Sequence, residues 1–119
     1  MSELDETPTV IALKEENREA LKYKLSEYET RLGKQCVARP YQPPEVHSAW
    51  WARRITKELL DAPDGKLNTF ELARRIESEI GNWFDLHYFQ NYCAVIDSYA
   101  NNGVKPRSHR PNSNTRDKR

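Results

Sequence analysis

The stretch from Phe84 to Ala100, FDLHYFQNYCAVIDSYA, constrains the fold more than any other part of the chain. At about 100° per residue, its nonpolar side chains cover roughly half the circumference of a helix. This nonpolar arc consists of Leu86, Tyr88, Phe89, Tyr92, Cys93, Val95, Ile96, Tyr99 and Ala100. A helix with such a wide apolar surface needs more than one packing neighbour. We therefore expect residues 84–100 to form the central helix of a helical domain.

The segment 9–32 carries a second helical signal. Thr7-Pro8 is a start signal, because Thr caps helices and Pro favours the first turn, and Gly33 is a stop signal. The apolar positions between them follow coiled-coil spacing and are Leu21, Leu25, Tyr28 and Leu32. We expect a flexible N-terminus over 1–8 and an amphipathic helix over 9–32. This helix either packs on the domain or pairs with a second copy in a homodimer.

A proline-rich connector separates that helix from the next one. Residues 33–44 contain three prolines and show no hydrophobic period, which predicts an extended segment. The following helix is predicted over 45–62, where Pro63 ends it. Its core face consists of Trp51, Ala52, Ile55, Leu59 and Ala62.

The helix predicted over 68–80 has the clearest local signal. Asn68 and Glu71 stand at capping-box positions, and Gly81 follows as a stop signal. A chain of 119 residues has room for one domain. The sequence thus predicts an all-α fold in which a small orthogonal three-helix core over 45–103 is joined by the N-terminal amphipathic helix, a four-helix arrangement.

Basic charge is concentrated at the C-terminal end of the chain. From Lys105 onward there are six Lys or Arg and a single Asp, whereas the whole chain has a formal net charge of +1. Few apolar residues accompany these charges, so we expect residues 104–119 to form a basic disordered tail.

Cysteine content and hydropathy predict a cytoplasmic protein without a membrane partner. The two cysteines do not form a disulfide framework, which favours a reducing compartment. No apolar run approaches the length needed to span a bilayer. The acidic N-terminus lacks the basic and apolar regions of a signal peptide.

The sequence carries no recognisable catalytic or metal-binding pattern. Its three His and two Cys are scattered without the spacing of metal ligands. A glycine-rich phosphate loop and a nucleophile elbow are both missing. We therefore expect no catalytic residue, no metal and no cofactor.

Binding another protein, in a regulatory or assembly role, is the function that the sequence favours. Trp50 points away from the core face of its helix and stands beside Arg53 and Lys57, with no carboxylate at the matching i+4 position. An exposed Trp next to cations is typical of interaction hot spots. The edge of the central helix formed by Tyr88, Tyr92 and Tyr99 could extend this partner surface. The alternative is that the N-terminal helix covers Trp50.

Nucleic-acid binding is the alternative function. Three helices joined by short turns are compatible with a helix-turn-helix core, and cations can neutralise phosphates. The expected phosphate contacts are Arg53, Lys57, Lys105, Arg107, Arg110, Arg116, Lys118 and Arg119. Against this function, the central helix, which would enter the major groove, carries Asp85 and Asp97 but no Lys or Arg.

Overall fold

A computed structural model describes residues 7–104 of the chain. It contains four α-helices and two short strands in this part of the chain. In chain order they are β1 (Val10–Ala12), α1 (Arg18–Ala38), α2 (Ser48–Asp61), β2 (Lys66–Asn68), α3 (Thr69–Ile80) and α4 (Leu86–Asn102). Single 3₁₀ turns precede α1, α2 and α4, at Glu15–Asn17, Pro44–Val46 and Gly81–Trp83. The predicted all-α fold class is confirmed.

The two strands form an antiparallel pair in which Ile11 lies opposite Leu67. Both of these side chains are buried, whereas Val10 and Ala12 face solvent. The prediction that Thr7-Pro8 opens a helix is therefore wrong. Burial alternates along Val10–Ala12, which is the pattern of a strand and not of a helix. The β-branched side chains of Val10 and Ile11 also favour a strand. Their hydrogen-bonding partner lies far along the chain and cannot be recognised locally.

Helix α1 begins nine residues later than predicted and continues through Gly33 to Ala38. Its start is fixed from outside the helix, because the Asn17 side-chain amide donates to the carbonyl of Ala100 at 2.8 Å. The amide of Lys14 donates to the same carbonyl at 3.2 Å. Gly33 does not adopt the left-handed conformation that ends helices, so α1 continues past it. The helix ends at Ala38, because Pro40 two residues later cannot continue a helix.

One hydrophobic core collects side chains from both strands and all four helices. Its largest fully buried members are Ile11, Leu21, Trp51, Ile55, Leu59, Leu72, Ile76 and Ile96. The N-terminal segment is therefore part of the core, and the core does not start at residue 45 as predicted. Of the two alternatives for the N-terminal helix, the structure shows it packed on the domain, against α2 and α4.

The central helix and the capping box agree with the sequence analysis. Helix α4 buries Phe89, Cys93, Ile96 and Ala100, although Leu86 at its start is exposed. The Glu71 amide donates to the Asn68 side chain at 2.9 Å, as a capping box requires. Helix α2 is shorter than predicted, because residues 44–46 form a 3₁₀ turn before it.

No helix within residues 7–104 is both long enough and apolar enough to cross a membrane.

The buried amide of Asn17 provides a test of how the N-terminal segment is attached. Replacing Asn17 with Ala removes the hydrogen bond to the Ala100 carbonyl and should lower the free energy of unfolding by about 1–2 kcal/mol. Urea denaturation of the full chain measures this change. The control is Glu16→Ala at the exposed neighbouring position, which should shift stability by no more than about 0.5 kcal/mol. Equal effects of the two substitutions would contradict the assignment.

Candidate interaction surface

Trp50 is half-buried and is not the open platform that the sequence predicted. Its ring meets the Trp51 ring edge-on, with 5.1 Å between centroids. The Arg54 guanidinium lies 6.0 Å from the Trp50 ring centroid, within the range of a cation–π contact. Trp50 thus packs against the core, and only part of its ring could touch a partner.

The cations beside Trp50 are paired with carboxylates. The Arg53 side chain donates to Glu29 of α1 at 3.2 Å. Lys57 lies 3.4 Å from Asp61, one helical turn further along α2. Asp61 is the matching i+4 carboxylate that the sequence analysis overlooked. These pairs reduce the positive charge available to either a protein partner or a phosphate.

The three tyrosines of α4 are half-buried against neighbouring helices. Tyr92 meets the buried Tyr28 of α1 edge-on at 6.3 Å, and Lys24 of α1 lies 5.5 Å from the Tyr99 ring centroid. Tyr88 contacts Trp51 of α2, with centroids 6.4 Å apart. The tyrosines therefore connect α4 to α1 and α2, which leaves less of each ring exposed than the sequence suggested. Their role in partner binding, like that of Trp50, Arg53 and Lys57, stays a prediction.

The most exposed large apolar side chains lie elsewhere, on α1 and the turn that follows it. Val37 is 81% exposed, Tyr41 is 79% exposed and Tyr23 is 66% exposed. Val37 lies in the last turns of α1, where no side chain of the helix after Tyr28 is buried. Apolar side chains that are this accessible mark candidate contact points for a partner.

Two shallow grooves run along the same side of α1. The first has a volume of about 520 Å³ and is lined by Glu29, Thr30, Gly33, Lys34, Val37 and Ala38. The second has a volume of about 420 Å³ and is lined by Tyr23, Ser26, Glu27, Thr30, Arg31 and Lys34. Thr30 and Lys34 belong to both grooves, so they form the ridge between them. We call this region, with Tyr23, Thr30, Gly33, Lys34 and Val37 as its central residues, the α1 surface.

Gly33 is the unusual residue of the α1 surface. It lies inside the helix, is exposed, and has no positive φ that would require glycine. Apart from its chain neighbours and the backbone of its own helical turns, a Cβ atom at this position would meet no atom of residues 7–104 within 4 Å. The packing of the described chain therefore gives no reason for a glycine here. Yet glycine in a helix interior costs about 0.5–1 kcal/mol relative to alanine.

The sequence did not predict this surface, because Gly33 was interpreted as a helix stop. A signal against that reading was present, since residues 34–38, KQCVA, contain no helix breaker before Pro40. The C-terminal cations from Lys105 to Arg119 lie outside the described residues.

The possible metal ligands and the two thiols of the described residues show the following arrangement. Residues 7–104 contain no group of His, Cys, Asp or Glu that could hold a metal ion. Both Cys36 and Cys93 are free thiols. Burial, with a smaller contribution from Asp97, raises the pKa of the Cys93 thiol to about 12, so this thiol stays protonated and is a poor nucleophile.

Comparison of the chain with protein families, curated proteins and solved structures found no match.

An ion-pair cluster between α2 and α3 should make the stability of the fold depend on pH. Arg54 binds Glu79 at 2.7 Å and Glu58 at 2.9 Å, and its hydrogen bond lowers the pKa of the Glu79 carboxyl. A lowered carboxyl pKa stabilises the fold above the ordinary carboxyl range, and this contribution is lost as pH falls through the lowered pKa. Glu79→Gln should therefore lower the melting temperature near neutral pH, and the difference from the original chain should disappear in strong acid.

Thermal melts across the acidic range measure this effect. The matched control is Glu77→Gln on the same helix, where we expect no comparable change with pH. A Glu79→Gln deficit that stayed constant down to strong acid would show that the effect is not electrostatic.

Proposed function

We propose that the protein is a non-catalytic protein-binding module, with a regulatory or assembly role, that docks an amphipathic helix of its partner on the α1 surface. The single observation that carries this proposal is Gly33, an exposed glycine inside a helix where residues 7–104 leave the space above it empty. A missing side chain at such a point lets a second backbone approach closely.

The shape of the α1 surface supports a helical partner. Helices pack by placing rows of side chains into the grooves of a neighbour. The Thr30–Lys34 ridge with a groove on either side offers such a pattern, and Val37 supplies an apolar contact at one end. Lys34 adds a cation, so a partner helix with apolar residues and at least one carboxylate would be complementary.

The burial of one thiol and the pairing of two carboxylates support the non-catalytic part of the proposal. The Cys93 thiol is buried and protonated, and the carboxylates of Glu29 and Asp61 are engaged with Arg53 and Lys57. Two free thiols also support a reducing location, which we propose is the cytoplasm.

Substitutions at Gly33 separate binding from folding. Gly33→Ala should raise the free energy of unfolding by about 0.5–1 kcal/mol, because alanine favours the helix and its Cβ meets no atom. Gly33→Leu should fold equally well but fill the groove and abolish partner binding. The matched control is Ser78→Leu, which adds the same side chain at an exposed position of α3. Urea denaturation reports the stability of each variant.

Partner binding is measured by photo-crosslinking in the cells that make the protein. A photoreactive amino acid at Val37 should give a discrete adduct, and the same group at the exposed Glu77 of α3 should not. Gly33→Leu should remove the Val37 adduct, and Ser78→Leu should preserve it. An adduct with twice the mass of the chain would identify the partner as a second copy, the homodimer that the sequence analysis left open as an alternative. Absence of an adduct at Val37, or one that survives Gly33→Leu, would overturn the proposal.

Nucleic-acid binding is the second candidate function. The observation in its favour is the exposed side of α4, where Asn91, Ala94 and Ser98 present a small and uncharged surface after the short α3–α4 connection. Polar side chains of this kind can reach base edges in a major groove. Phosphate contacts would then come mainly from the C-terminal tail, because Arg53 and Lys57 are engaged with Glu29 and Asp61.

A truncation tests this second function. If the tail contacts phosphates, the full chain should be retained on a heparin or nucleic-acid column with steep salt dependence, with a slope that grows by about 0.9 for each neutralised phosphate. A chain ending at Gly103 should lose this retention. Equal and weak retention of both chains would rule out this second candidate.

A further inference from the structure

The exposed side of α1 follows a seven-residue repeat. Its outermost positions alternate in spacing between three and four residues, as on the contact face of paired helices. All six positions are exposed, and they are Glu19, Tyr23, Ser26, Thr30, Gly33 and Val37. The repeat that the sequence suggested for a dimer lies on the opposite side, where Leu21 and Tyr28 are buried in the core. A second helix can therefore pair with α1 along the outer repeat without disturbing the fold.

The side chains of the outer repeat are small in its middle and large at both ends. Tyr23 is 66% exposed and precedes Thr30 by seven residues, whereas Val37 is 81% exposed and follows Thr30 by seven residues. Between these ends, Ser26 and Gly33 leave room for another backbone to come close. The outline of the repeat is thus nearly the same when it is turned end for end about Thr30. A reversed copy of α1 is complementary to such an outline.

The charges beside the repeat change sign across Thr30. Glu27 precedes Thr30 by three residues and Lys34 follows it by four, and their side chains project only about 20° apart around the helix. Two antiparallel helices related by a two-fold axis bring the same flank together, so the Glu27 of each copy meets the Lys34 of the other. Lys34 makes no ion pair with any of residues 7–104. The Glu27 side chain is 42% exposed, although it also binds Lys24 at 2.9 Å.

We propose that the helix docked on the α1 surface is α1 of a second copy, which runs antiparallel about a two-fold axis at Thr30. This inference rests on the function proposed above and names its partner. In the dimer, Tyr23 packs on Val37 of the second copy and Glu27 binds Lys34 of the second copy. Gly33 lets the two backbones come close between these contacts. The two-fold axis repeats every contact, so the same surface is used by both copies.

A parallel pairing of the same two faces fits less well. Each residue of the repeat would then face its own counterpart, so Glu19 would meet Glu19 of the second copy, a contact between like charges. In the antiparallel arrangement, Glu19 lies opposite residue 41, and no acidic residue occurs between 38 and 44. Gly33 then faces Ser26 of the second copy, whose small side chain occupies part of the space that the glycine leaves. Both comparisons favour the antiparallel dimer.

Charge reversal tests this arrangement on the full-length chain, with sedimentation equilibrium as the measurement. The original chain should form a dimer that weakens as salt is added. Glu27→Lys and Lys34→Glu should each weaken the dimer about tenfold, because each substitution replaces two attractive contacts with two repulsive ones.

Combining the two reversals should restore dimerisation to within about twofold of the original affinity, because the same pairs form again with opposite signs. In a parallel dimer, Glu27 would lie near Lys22 of the second copy, so reversing both charges would give no recovery. The recovery therefore reports the direction of the helices as well as the contact.

Three further measurements act as controls. Glu77→Lys combined with Lys34→Glu has the same net charge as the double reversal and should show no recovery, because Glu77 is an exposed residue of α3. Gly33→Leu should abolish the dimer, because its side chain occupies the space needed by the second backbone. Urea denaturation of dilute samples checks that each variant folds, since Glu27→Lys also breaks the ion pair with Lys24.

This inference and the proposed function can fail separately. A chain that stays monomeric up to about 1 mM would overturn the inference, and so would a dimer that survives Gly33→Leu or a double reversal weaker than either single one. If the chain is monomeric but Val37 crosslinks to a different protein, the α1 surface still binds a partner and only the second copy is excluded. Absence of any adduct at Val37 would overturn both.

Discussion

The attachment of residues 10–17 to the distant β2 and α4 is the constraint on which the rest of the structure depends. The strand pair places Ile11 against Leu67, and Asn17 donates to the carbonyl near the end of α4. These contacts fix where α1 begins and in which direction it runs. They also place Leu21 and Tyr28 in the core, so the position of the α1 surface follows from this attachment.

Helix α1 has two parts with different physical roles. Its first part buries Leu21 and Tyr28 against α2 and α4 and is stabilised by that burial. Its second part has no side chain in the fully buried class, and it carries Gly33 and the highly exposed Val37. A segment that includes a helix-destabilising glycine and an exposed valine contributes little to the core. Its exposed side chains are the ones on which the proposed α1 surface depends.

The end of α1 has different surroundings on its two sides. One side is the outer face, where Gly33 leaves a groove open to solvent. The other side faces the turn before α2, where Gln35 and His47 bury polar atoms without partners among residues 7–104. The proline-rich connector joins these features, because it borders the second side while leaving Tyr41 exposed. The sequence predicted an extended connector over residues 33–44, whereas in the structure residues 33–38 belong to α1 and only the remainder forms the connection to α2.

Local signals in the sequence were sufficient where a segment's structure depends on its own residues. The capping box at Asn68 and Glu71 and the buried arc of α4 are examples, because both depend on neighbours within one or two helical turns. The exposure of Trp50 was predicted less accurately from the sequence. Helical periodicity separates it from the core face of α2, but it could not show that Trp51 and Arg54 pack on its ring.

The sequence by itself determined the all-α class, the capped start of α3 and the aromatic face of the central helix, since hydrophobic periodicity and capping act over short distances along the chain. Only the tertiary structure decided the strand at 10–12, the extension of α1 past Gly33 and the pairing of Arg53 with Glu29. Each of these depends on groups that are distant in sequence or on the absence of a neighbour in space. Such relationships exist only once the chain has folded.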